Sequence, residues 1–113
     1  MNSYDVAKIY ISYNQNNHII IDNKYRNNTT YDVYIFQSYN KIMMVIKDND
    51  IYFNNDCYNY TKTTCKYLYK CLDDIKYLVS SENQKTIDDI LSSKNKKQTI
   101  LNYIIQNNKY IND

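Results

Sequence analysis

Glycine, proline and tryptophan are absent from this 113-residue chain, and alanine and arginine occur once each, at Ala7 and Arg26. The lack of glycine excludes most. A P-loop, a dinucleotide-binding fingerprint and a nucleophile elbow all need backbone conformations that glycine supplies, so none of them is expected. Asp48-Asn49-Asp50, followed by Asp56, has the acidity of a calcium loop without its design. Tyr52 stands where an oxygen ligand belongs, the sharp-turn glycine is missing and no glutamate closes the loop. Turns must instead use Asn and Asp, which tolerate positive φ and bond their own backbone.

Other absences narrow the class further. No apolar stretch approaches the roughly eighteen residues that span a bilayer, and Met1 to Asp5 lack the basic-then-apolar pattern of a leader. The expectation is a cytoplasmic protein with no membrane partner. Cys57, Cys65 and Cys71 are odd in number and fit reduced thiols, and their intervals contain no close pair of the kind zinc sites use. The sequons at Asn27, Asn28 and Asn59 are then products of abundant Asn and Thr. The only histidine, His18, has no orienting acid beside it in the sequence. No enzyme activity, cofactor or metal is expected.

Asn, Ile, Lys and Tyr fill the space left by the missing types, including 15 tyrosines. The depleted residues mostly have G- and C-rich codons and the enriched ones A- and T-rich codons, so the composition reads first as an AT-rich genome. Bacteria of low GC content, their phages, some large DNA viruses and some protists share that bias. With 43% hydrophobic residues the chain can bury one modest core, and 113 residues leave no room for a second. A net charge of +2 names no partner.

Hydrophobic period divides the chain in two. Val6 to Tyr13 alternate, His18 to Ile21 form a β-branched run, and Tyr31 to Ser38, Ile42 to Lys47 and Ile51 to Asn54 follow at turn-sized intervals. These predict a five-stranded antiparallel meander. The third and fourth strands are apolar on both faces, as central strands are. From Thr61 to Val79 the period changes to three and four, through Thr64, Cys65, Leu68, Cys71, Leu72, Ile75 and Leu78, which predicts one long helix with Asp56 or Asn59 as N-cap. Thr86 to Asp89 have the spacing of a capping box for a short second helix, and Ile100, Leu101, Ile104, Ile105 and Ile111 give the apolar edge of a third opened by Asn95. The fold expected is a single α+β domain, sheet over about 6–54 and helices over about 57–111.

Two surfaces are candidates for function. If the long helix covers the face holding Ile9, Ile11, Val33, Ile35, Ile42, Met44 and Ile46, the opposite face shows Tyr10, Tyr34, Phe36, Met43, Val45, Lys47 and Tyr52. An aromatic patch edged by lysine has the composition of a protein interface. Lys62, Lys66 and Lys70 recur every four residues opposite the apolar stripe of the long helix, with Lys76 nearby, and could face phosphates. The half from residue 57 onward holds nine lysines against six acids, and the first 56 residues five basic groups against six acids. Asp73 and Asp74 interrupt the stripe.

Three resemblances accompany these residues. Ile19-Ile20-Ile21-Asp22-Asn23-Lys24 resembles half of the PD-(D/E)xK nuclease motif, which implies metal held by Asp22 and an earlier acid, for which only Asp5 is available. Tyr34-Ile35-Phe36 through Ile46 to Phe53, with Asp56-Cys57 opening a helix, resembles the start of the DNA-binding Bro-N domains of viral and phage antirepressors, although their glycine-bearing turns are missing. In size and lack of a catalytic motif the chain resembles host-defence inhibitors of the anti-CRISPR kind. The last resemblance, with the size, composition and lack of catalytic motifs, leads to an expected non-enzymatic protein-binding module from a virus, phage or mobile element that blocks a host machine in the host cytoplasm. The alternative is a DNA-binding regulator of the Bro-N kind using the lysine stripe on the long helix, and a degenerate metal-dependent nuclease ranks third. The partner of the expected module is a host protein or protein–nucleic acid complex, with DNA or RNA as the alternative partner and a homodimer left open.

Overall fold

The computed structural model describes residues 4–56 and 59–111, so Cys57 and the expectations placed on it lie outside the described residues. Six strands form one sheet in the order β1 (Tyr4–Ser12), β2 (Asn17–Arg26), β3 (Thr29–Ser38), β4 (Lys41–Lys47), β5 (Asp50–Asn54) and β6 (Tyr110–Ile111). The first five are an antiparallel meander, whereas β6 runs parallel to β5, with Tyr110 beside Phe53. Between β5 and β6 come α1 (Lys62–Ile75), a 3-10 turn at Lys76–Leu78, α2 (Ser81–Leu91) and α3 (Lys96–Asn107). The fold is α+β, as the sequence predicts, with a sixth strand that it does not.

Tight turns hold the meander in register without glycine. Asn27-Asn28 and Tyr39-Asn40 adopt positive φ at both central positions, and Asp48 does so at the first of its turn. Two-residue hairpins require this, because their twist must match that of the strands. Tyr39 is the exception to the Asn and Asp rule, accepting a φ of 52° as a bulky residue.

Register then decides which face is covered. Phe36 lies opposite Ile19 and Met44, and Tyr34 opposite Ile21 and Ile46, so these six share one side. That side forms the core with Ile51, Phe53 and the inward residues Leu68, Cys71, Leu72, Ile75, Ile87, Ile90, Ile100 and Ile104 of the three helices. The expected grouping of Val33 and Ile35 with Met44 and Ile46 is therefore corrected, since β3 sits in the opposite phase. A bulge completes the correction. Phe36 pairs Met44 but Gln37 pairs Ile42, which leaves Met43 as an extra residue. Met43 and Met44 are thus both buried, and Ile42 is turned out.

The helices also differ in extent from the expectation. Thr61, not Asp56 or Asn59, caps α1, its side chain accepting from the Thr64 backbone N–H at 3.1 Å. The helix stops at Ile75 and Leu78 is 60% exposed, so the stripe ends earlier than its spacing implied. Asp73 and Asp74 place negative charge at the negative end of the helix dipole, which opposes extension. Ser80 caps α2 at 3.2 Å from the Asn83 N–H, and Thr86 lies inside that helix with its hydroxyl on the Glu82 carbonyl. Asn95 opens α3 as expected. Asn108 ends it in the left-handed conformation, so Ile111 belongs to β6 and not to the helix.

A buried chain of hydroxyls and amides joins the two layers. Ser38 donates to Asn17 Oδ1 at 2.7 Å, which uses its one proton, so its 3.0 Å contact with Thr64 must run from the Thr64 hydroxyl. Thr61 donates to Thr64 at 3.1 Å, and Asn17 passes the chain on to Asn14 at 3.0 Å. Asn17, Ser38 and Thr64 are all buried, where an unpaired polar group is costly. Thr64→Val removes the central link at constant shape and is expected to cost about 1–3 kcal/mol, read as a lower midpoint in denaturant unfolding; an unchanged midpoint would refute the role given to this chain.

Candidate functional site

The other face of the sheet has no helix on it among the described residues. Its centre is a single cross-strand row: Tyr10 pairs Ile20, Ile20 pairs Ile35, Ile35 pairs Val45 and Val45 pairs Tyr52. One apolar side chain from each of five strands therefore forms a continuous strip, half-buried in the middle and most exposed at Tyr10. Alternation produces it, because every strand that sends one apolar set to the core still holds an apolar residue on the reverse side.

A charged row runs alongside. Lys8, Asp22, Val33, Lys47 and Asp50 are successive register partners across the same strands. Asp22 and Val33 are each only 6% exposed although neither belongs to the core beneath the helices. Lys8 Nζ stands 3.5 Å from Asp22 Oδ1, close enough for charge attraction, yet that oxygen receives no hydrogen bond. Asp50 is ion-paired with Lys109 near the junction with β6 and accepts from the Tyr52 hydroxyl at 3.5 Å.

The structure divides the expected aromatic patch. Tyr10, Val45, Lys47 and Tyr52 lie on the open face, whereas Tyr34, Phe36 and Met43 are in the core beneath the helices. Tyr34 still finds partners there, donating toward Asp32 Oδ2 at 3.4 Å or the Leu78 carbonyl at 3.3 Å, and burial raises its pKa. Ile20 and Ile35 are the open-face residues that sequence reasoning missed. Cross-strand register was the signal that could have found them.

The lysine stripe is present on α1, with Lys62, Lys66 and Lys70 all exposed. Two of these engage neighbouring rings: Lys66 lies 5.5 Å from the centre of Tyr67, and Lys70 lies 5.6 Å from Tyr13 and 3.8 Å from Asp74 Oδ2. Lys76 is off the stripe, ion-paired with Asp88 and resting on Tyr77. Tyr13 and Tyr67 stack at 5.4 Å, and Tyr13 donates to Asp74 Oδ2 at 2.5 Å.

Reactive groups are placed as follows. Asp22 and Lys24 are internal to β2, and Asp5 pairs with Lys24 in register. His18 Nδ1 is 3.0 Å from Ser12 Oγ, a pair the sequence did not suggest. Ser12 donates to the Asn14 carbonyl at 2.7 Å, which leaves its oxygen to accept from the imidazole rather than to give up a proton to it. Cys65 and Cys71 are buried thiols, and burial pushes Cys71 far above its ordinary range. Among the described residues no three His, Cys, Asp or Glu side chains are gathered to hold a metal, and no helix is long and apolar enough to cross a membrane.

No family model, curated protein or solved structure matches this chain.

The resolved pKa shifts share one direction. Burial and then the Asp74 hydrogen bond raise Tyr13; burial raises Cys71 and Tyr103; partnership with Asp88 and Asp50 raises Lys76 and Lys109. A raised folded pKa means the unfolded chain releases its proton first, so this stability is complete below the unfolded pKa and is lost as pH climbs toward the folded one. The melting temperature should hold steady up to about pH 8 and fall steeply from roughly pH 9 to 11. Tyr13→Phe should soften that fall, and a flat alkaline profile would contradict the environments assigned to these groups.

Proposed function

We propose that the protein is a non-enzymatic binding module that acts by occupying a surface of a larger protein assembly, as an inhibitor of a host machine does. The observation that carries this reading is the five-strand row from Tyr10 to Tyr52, on the face opposite the helix-packed core and without a helix on it among the described residues. An apolar strip with charged residues along its flank has the layout of a protein interface, a desolvated centre inside a polar rim. Tyrosine at both ends supplies contact area at low entropic cost. The partner fitting it is a protein surface with its own apolar strip and mixed charge.

Nucleic acid at Lys62, Lys66 and Lys70 is the competing reading. It is weakened by the attachment of Lys66 and Lys70 to tyrosine rings and by Asp73 and Asp74 within the same helix.

Affinity capture from the native host, repeated at low and high salt, separates the two. Wild-type protein and the triple variant Lys62→Ala, Lys66→Ala, Lys70→Ala should retain the same protein partner, with weak salt dependence. Val45→Glu combined with Tyr52→Ala should lose it, by about a hundredfold or more in affinity. Loss of all binding in the lysine variant, with steep weakening as salt rises, would replace this reading with the nucleic-acid one.

A further inference from the structure

We propose that β1 is a self-pairing edge, joining antiparallel to the β1 of a second copy about a two-fold axis at Tyr10. Among the described residues strand order leaves β1 with a neighbour on one side only, and it is nine residues long, against two for β6 at the other edge. The outer side of such a strand offers backbone groups to any chain that can align with it.

The helices leave the middle of this edge exposed. α1 packs over β2 and β3, and in consequence Ile9, Tyr10 and Ile11 are 54%, 65% and 43% exposed. Three consecutive large apolar residues therefore stand in solvent, the isoleucines on the helix side and the tyrosine on the open face. Proteins that keep an edge strand solitary blunt it with a bulge, a charge or proline. Here the bulge falls between Asp5 and Ala7 and the lysine at position 8, so both precede the exposed segment, and Ile9 to Ser12 carry none of the three.

What selects a second copy is self-complementarity. Antiparallel pairing centred on Tyr10 sets Tyr10 against Tyr10, Ile9 against Ile11 and Lys8 against Ser12. Each of these three exposed apolar residues then meets another, and no like charges are opposed. A two-fold interface demands this property, because one patch must serve as both partners. The pairing also carries the open-face row without interruption into the second copy through its Tyr10. The inference stands apart from the reading of that row as a partner site, since the isoleucines lie on the other face.

Sedimentation or light scattering across a concentration series tests it. Wild-type protein should show the mass of two chains. Ile9→Lys with Ile11→Lys, which opposes lysine to lysine at both pairs, should show one, with an unchanged circular dichroism spectrum. Mixing it with Ile9→Glu, Ile11→Glu should restore the dimer as a hybrid. Val45→Glu should remain dimeric. A second measurement does not depend on those charges: Tyr10→Cys should cross-link between copies with a short bis-maleimide to an extent the wild-type thiols do not. A monomeric wild type at the highest soluble concentration, a dimer unaffected by the lysine pair, a dimer abolished by Val45→Glu, or no extra cross-link at position 10 would each overturn the proposal.

Discussion

The registration of β3 against its two neighbours is the constraint on which the rest of the molecule depends. Side chains alternate along a strand, so a slip of one residue exchanges the core for the surface. Asn27-Asn28 on one side and Tyr39-Asn40 on the other fix that registration through left-handed backbone, and they do so without glycine. With β3 held, Tyr34 and Phe36 are committed to the helices, and Val33 and Ile35 to the reverse face. The open row, the buried core and the contact between Ser38 and Thr64 are all consequences.

Much of this architecture was legible in the amino-acid order. The change of period after residue 54 separates strands from helices, and Thr64, Cys65, Leu68, Cys71, Leu72 and Ile75 are the buried stripe of α1 in the structure. Facing was not legible. β3 is apolar on both sides, so its alternation has no preferred phase by itself, and the bulge at Met43 shifts β4 by one residue with no glycine or proline to mark it. The extension of β2 through Asp22, Asn23 and Lys24 was hidden for a different reason. Its residues are polar, and they are stabilised by cross-strand partners such as Asn23 donating to Asp32 at 2.9 Å, which no local pattern reveals. β6 was hidden by its length of two residues.

The helical layer is as selective as the sheet. Its apolar stripes cover β2 to β5 and leave Ile9 to Ile11 of β1 and Leu78, in the 3-10 turn after α1, exposed. Polar contacts fasten its borders: Asn83 donates to the Asp48 carbonyl at 3.0 Å, Tyr103 to the Ile51 carbonyl at 3.0 Å, and Lys97 to the Tyr60 carbonyl at 3.2 Å. Hydrophobic burial holds the centre, while these directional bonds fix where each helix ends over the strands.

The alternating signs of Lys8, Asp22, Lys47 and Asp50 beside the open strip have a kinetic meaning. Their fields cancel within a few ångströms, so this face cannot draw a charged molecule from a distance or accelerate encounter as a basic or acidic surface does. Association there proceeds at the pace of ordinary diffusion and orientation, and selectivity is expressed in how slowly the matched pair comes apart.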